Sequence, residues 1–139
     1  MKKVMQLIVC QVILLCGFAH AAQPPSLIGT WEATSGYWVY SGTASNPAPT
    51  EFSQKPLHVK MIITEQKDNT FSGSMLRYDD QIRNIVGVIS PDGNTVLFSI
   101  DNGAESGALS KNKTEFSGCG TTVRTDHNRA YCTVFKKVN

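Results

Sequence analysis

The chain has 139 residues, of which 41% are hydrophobic and 17% charged, with a formal net charge of +2. That length makes one domain whose core stands alone without much to spare. So small a charge gives no basic surplus for nucleic acid or an anionic membrane surface, and nucleic acid is not an expected partner.

The N-terminal stretch reads as an export signal. Lys2 and Lys3 precede an apolar run from Val4 to Phe18, broken by Gln6, Gln11 and Gly17, and Ala19-His20-Ala21 supplies small residues for cleavage. A signal peptide over 1–21 is expected, with a single domain over 22–139 and a periplasmic or extracellular location. The run is too short for a comfortable membrane anchor, so no stable membrane insertion is expected. A lipidated Cys16 is the rival reading, and the bulky Leu15 before it speaks against a lipobox.

Cleavage removes Lys2 and Lys3, so eleven bases then face eleven acids. It also removes Cys10 and Cys16, leaving Cys119 and Cys132. In an oxidising compartment two leftover cysteines are expected to pair with each other. Two thiolates without a nearby His or acid pair fall short of a tetrahedral set, so no metal and no cofactor are expected.

After a short lead of disordered character, "AQPPS", no stretch from Leu27 on carries a 3.6-residue apolar period. Turn signals come every 8 to 12 residues instead, the pattern of an all-β sandwich or barrel. Strands are expected at 27–35, 37–42, 56–66, 70–78, 81–89, 94–101, 104–110, 114–123 and 129–138. "KDN" (67–69), "DD" (79–80), "SPDGN" (90–94), "NG" (102–103) and "KNK" (111–113) supply the turns between them. The Pro- and Ser-containing segment 43–55 reads as a long loop.

Within the strands, Val59, Met61 and Ile63 share one face, as do Phe71, Gly73 and Met75, and Val96, Phe98 and Ile100. Strand 81–89 is apolar on both faces, so its outer face is expected to be covered by the long loop or another molecule. Glycines 73, 87, 107, 118 and 120 fall inside strands, where they mark bends or close backbone approach. Sequential hairpins that bend in this way predict a small antiparallel up-and-down β-barrel of about eight strands with meander topology.

"GTW" at residues 29–31 resembles the Gly-x-Trp opening of lipocalins and of avidin-like barrels, the calycin-like proteins. The resemblance implies that Trp31 plugs the closed end of the barrel, that Gly29 bends the chain beneath it, and that a basic residue near the last strand, Arg129, stacks on the indole. More of the chain, "ITEQKDNTFSGSM" and "IVGVISPDGNTVLFSIDNGAESGAL", is similar to an uncharacterised group of bacterial secreted or periplasmic single-domain proteins that open with Gly-Thr-Trp. That likeness brings no activity with it.

Candidate binding residues follow from the aromatic density of "GYWVY". Tyr37 and Val39 lie on one face of a strand and Trp38 and Tyr40 on the other. Core packing explains such residues twice as often as binding, and the long loop after them makes Trp38 and Tyr40 the better candidates. Arg124, Asp126, His127 and Arg129 stand close together in "RTDHNR", where they fit an anion or protein acid, or simply a solvated hairpin tip. His58 reads as an exposed strand histidine.

An enzyme is not expected. There is no Gly-x-Ser-x-Gly elbow, Asp79 and Asp80 are adjacent and so serve poorly as a paired acid and base, and the cysteines are better explained as a disulfide. "DNGAE" and "PDGN" fall short of an EF-hand ligand count. The expectation is an exported, non-enzymatic binding protein that holds a small apolar ligand or a protein partner at the barrel mouth. The alternative is a secreted inhibitor or host-interaction factor acting through loops 43–55 and 124–129.

Overall fold

The computed structural model describes residues 23–54, 58–77 and 80–138. The expected signal peptide and Asp79 lie outside the described residues. The described chain is all β, in the order β1 (Gly29–Gly42), β2 (Glu51–Gln54), β3 (Lys60–Lys67), β4 (Thr70–Leu76), β5 (Ile82–Ile89), β6 (Thr95–Ile100), β7 (Gly103–Leu109), β8 (Glu115–Val123) and β9 (His127–Val138). Each strand from β3 to β8 pairs antiparallel with the next, and β1 pairs with both β3 and β9, which closes an eight-stranded barrel. The meander and the closure are those predicted, with β2 added outside the ring.

The turns work because one residue in each accepts a left-handed backbone. Asp68, Asp80 and Asp101 have φ of 51°, 57° and 49°, Gly93 has 69° and Lys113 has 61°. Asp tolerates that region better than most side chains. Lys113 lacks this advantage, and its ammonium donates to the Gly93 carbonyl and to Asn94 Oδ1, each at 2.7 Å, which ties two neighbouring turns together.

Two boundaries differ from the expectation. The break predicted at Gly36 is absent, because a bulge between Ala33 and Ser35 shifts the register and lets β1 run on to Gly42 against β9. Segment 43–55 is not all loop either. β3 pairs with β1 only from Gly29 to Glu32 and leaves the rest of that edge open. Residues 51–54 fold back to occupy it, from Tyr37↔Gln54 to Tyr40↔Glu51, since unpaired backbone groups draw any extended neighbour.

Inward positions fill the barrel completely along most of its length. Trp31, Met61, Ile63, Phe71, Met75, Ile85, Ile89, Val96, Phe98, Phe116 and Phe135 form a single buried cluster with Leu27, Ile100 and Leu109. Phe98 and Phe116 pack with ring centroids 5.8 Å apart, and Phe116 and Phe135 at 6.3 Å. Gly118 is required by this packing, since a Cβ there would stand 2.3 Å from Cζ of Phe116.

Trp31 is 1% exposed and its indole N–H donates to the Leu27 carbonyl at 2.9 Å. The cation over its ring is Lys137, at 5.7 Å, and not Arg129 as expected. The ladder explains this, because Lys137 is the direct β9 neighbour of Trp31 while Arg129 sits opposite Tyr40. The lead is not loose where it is described: Gln66 accepts from the Leu27 N–H at 2.7 Å and donates to the Pro25 carbonyl at 3.0 Å.

Candidate functional site

Three places in the barrel gather chemistry. The first is the end of the interior opposite Trp31. There Glu105 of β7 points inward at 2% exposure, in company with Arg77, Thr122 and Thr133. They share a cavity of about 40 Å³ with Tyr131, Arg129 and Ile100. Glu105 Oε1 has no hydrogen-bond partner, and burial pushes its carboxyl up to about 8. Burial, with Glu105 nearby, pushes the Tyr131 hydroxyl up to about 12. A space of that size holds a water or two, not an apolar ligand.

The second place is the rim. Trp38 and Tyr131 are direct neighbours on β1 and β9, and the guanidinium of Arg129 lies 5.2 Å from one ring and 5.3 Å from the other. Such stacking holds Trp38 in place. One step further out, the ring of Tyr40 meets that of His127 edge-on at 6.2 Å. Glu51, hydrogen-bonded to Tyr40, raises that phenol. His127 Nδ1 stands 3.0 Å from Asp126 Oδ1, and this contact, with Arg124 nearby, lowers the Asp126 carboxyl. Among the described residues no serine, threonine or cysteine side chain hydrogen-bonds to His127. Thr43 Oγ1 donates to the Thr125 carbonyl at 3.3 Å and Asn46 Nδ2 to the Asp126 carbonyl at 3.4 Å, joining the two loops.

The third place is the outer wall. Outward positions follow one another across the ladders as Tyr37, Cys132, Cys119, Ser106, Leu97 and Val88. The next row is Val39, Ala130, Thr121, Ala104, Ser99 and Val86. Neither row contains a charge. Further along the same strands Glu115 and Lys136 face each other on the outside, with Nζ to Oε2 at 3.7 Å. β2 stands as a rim beside these rows, with Phe52 81% exposed. Between β2 and the wall lies an open groove of about 920 Å³, lined by Tyr37, Val39, Phe52, Leu97, Ala104, Thr121 and Ala130, with Trp38 and Tyr131 also reaching it. The Cys119–Cys132 disulfide is formed and lies in the groove floor.

The predicted candidates therefore separate. Tyr37 belongs to the groove and Trp38 reaches it, whereas Tyr40, Arg124 and His127 form the rim cluster. Trp31 and Gly29 sit at the plugged end. The reading of the sequence missed Phe52, Leu97 and Ala104, and missed that the disulfide faces outward. The outer face of strand 81–89 was expected to be covered by the long loop or by another molecule; the described end of that loop, residues 51–54, pairs with β1 instead. In the chain alone Val86 and Val88 are 60% and 45% exposed. A second groove of about 480 Å³ continues over them from Leu97 and Ala104.

Among the described residues no group of three or more His, Cys, Asp or Glu stands close enough to hold a metal ion. No helix among them is long and apolar enough to cross a membrane. No model of a known protein family matches the chain, and no curated protein matches it.

Proposed function

We propose that this is an exported, non-enzymatic binding protein that takes an uncharged, apolar ligand in the groove between β2 and the outer wall. One observation carries the reading: the interior is filled by aliphatic and aromatic side chains, while the large concavity is outside, apolar and without a charge. Its volume of about 920 Å³ falls within the range of roughly 300–1,000 Å³ usual for small-molecule sites. Ser53, Gln54, Ser106 and Thr121 in its lining supply a few hydrogen-bonding groups to orient a ligand. The proposed site thus lies on the wall and not in the mouth, whose cavity is too small and has Glu105, Arg77 and Arg129 in its lining. Export agrees with the disulfide, which persists in oxidising compartments.

Titration with a neutral fluorescent naphthylamine tests this. Saturable binding, weakened at least tenfold by Leu97→Asp, is the expected result. No binding by the disulfide-bonded protein, together with no co-purifying apolar molecule in native mass spectrometry, would overturn the reading. The contacts between Thr43 and Thr125 and between Asn46 and Asp126 favour a second reading, in which loops 43–55 and 124–129 act as one docking surface of a secreted inhibitor. An inhibitor of that kind keeps its activity in Leu97→Asp and loses it when Asn46 and His127 are replaced together.

A further inference from the structure

We infer that the polar cavity inside the barrel mouth is a binding site for one compact monovalent anion of halide size, held by Arg77, Arg129 and the carboxyl of Glu105. This site is separate from the wall groove and does not depend on what the groove binds.

Hydrogen-bonding chemistry selects a ligand that accepts. Arg77 and Arg129 bring guanidinium groups, which only donate, and Thr122, Tyr131 and Thr133 bring hydroxyls able to donate. Among the described residues the single carboxyl in the lining is that of Glu105, at 2% exposure and with no hydrogen-bond partner on Oε1. Protonated there, it adds one more donor aimed into the space.

Charge selects an anion among acceptors. Two guanidinium groups and one carboxyl leave the lining positive, most of all when Glu105 carries its proton. Asp101 stands to one side, with Oδ2 3.8 Å from Nη1 of Arg77 and 3.3 Å from Nε of Arg83, so it is shared with a third guanidinium. Met75 and Phe135 form the dry side of the cavity, and poor screening there strengthens both the attraction of an anion and the repulsion of a cation.

Size narrows the class further. About 40 Å³ has room for a water or two, hence for chloride or bromide, and not for the five heavy atoms of sulfate or phosphate.

Binding is tied to a proton. Burial holds the Glu105 carboxyl at about 8, so near neutral pH its O–H meets the anion, whereas the ionised form repels it. The groups facing Glu105 keep their state over this range: Arg77 and Arg129 stay charged, Thr122 and Thr133 do not titrate, and the Tyr131 hydroxyl is pushed up to about 12. Affinity is therefore full well below pH 8 and falls above it. With only the protonated form competent, the apparent Kd at pH 9 is about tenfold that at pH 6.5.

Thermal melting with sodium chloride replacing sodium gluconate at constant ionic strength, at pH 6.5 and 9, tests this, together with proton uptake on adding chloride at pH 8. The expected result is a melting temperature that rises with chloride at pH 6.5, an apparent Kd about tenfold weaker at pH 9, and protons taken up at pH 8. Glu105→Gln, whose amide donates without ionising, should bind chloride equally at both pH values and take up no proton. Arg129→Gln should lose the chloride response, and Arg129→Lys should keep part of it; should Arg129→Gln fail to melt cooperatively, the wild-type pH series and Glu105→Gln decide alone. No chloride response at pH 6.5, or one that is the same at pH 9 in the wild type, overturns the inference and leaves the cavity to water. The wall groove is judged apart: a protein that responds to chloride and takes no naphthylamine sinks the groove ligand alone, and the reverse sinks the anion alone.

Discussion

Replacing Glu105 by Gln should abolish most of the pH dependence of stability between pH 5 and 8. Glu105 is 2% exposed and its Oε1 has no partner. Burial holds its carboxyl near 8 against an ordinary value of 4.5. The folded chain therefore keeps this proton through a range in which the unfolded chain has lost it. The stability contribution is complete below about 4.5, falls as pH rises toward 8, and stays low above that. A gap of 3.5 pH units, 8 less 4.5, corresponds to an upper limit of about 5 kcal/mol at 1.36 kcal/mol per unit. The cavity admits water and is lined by Arg77 and Arg129, which soften the penalty on the ionised form. A loss of about 2–4 kcal/mol is the expected size. Urea unfolding of both proteins at pH 5, 6, 7 and 8 measures it, and the difference between them removes whatever pH dependence they share. The Gln variant should equal or trail the wild type at pH 5, through an amide group that needs a new partner, and exceed it at pH 8. Parallel stability curves from pH 5 to 8 would refute the argument.

Trp31→Ala removes the plug at 1% exposure and should cost roughly 3–5 kcal/mol, read by denaturant unfolding; a loss below about 1 kcal/mol would mean that Leu27 and Lys137 close that end without it. Replacing Cys119 and Cys132 together by Ser should cost about 3 kcal/mol while leaving the β-sheet spectrum intact, because the β8–β9 ladder runs from Glu115 to Val123 with or without the bridge. Gly118→Ala places a methyl 2.3 Å from the Phe116 ring and should lower stability by about 1–3 kcal/mol, with thermal melting as the measurement.

The meander was legible because four of its turns carry Asp or Gly where a left-handed residue is needed, Lys113 being the exception, and because inward residues such as Val96, Phe98 and Ile100 alternate cleanly. β2 was not legible. "EFSQ" carries no strand pattern of its own and extends only because β3 leaves the edge of β1 open, a fact of three dimensions. Glu105 was missed although a signal existed: Leu109 faces inward, and counting back by twos through Gly107 puts Glu105 on the same side. An acid in a strand is usually solvated, and that expectation hid the parity. The groove was hidden for a different reason. Tyr37, Cys132, Cys119, Ser106 and Leu97 are scattered along 96 positions of sequence and become one row only when the ladders are in register.

Side-chain size accounts for both the filled interior and the hollow wall. Eight strands enclose a space only as wide as packed side chains, and the Phe98, Phe116 and Phe135 rings occupy that width at 5.8 and 6.3 Å spacings. Outward positions on β7, β8 and β9 alternate with those rings and are small: Ala104, Ser106, Cys119, Thr121 and Ala130. Flanking them stand Leu97 on one side and Tyr37 and Phe52 on the other. A row of short side chains between two rows of long ones is a trough wherever the backbone beneath is continuous. The groove therefore requires no loop or lid to form it. Enlarging its floor with Ala104→Leu should fill it while leaving the inward packing, and hence the fold, as it is.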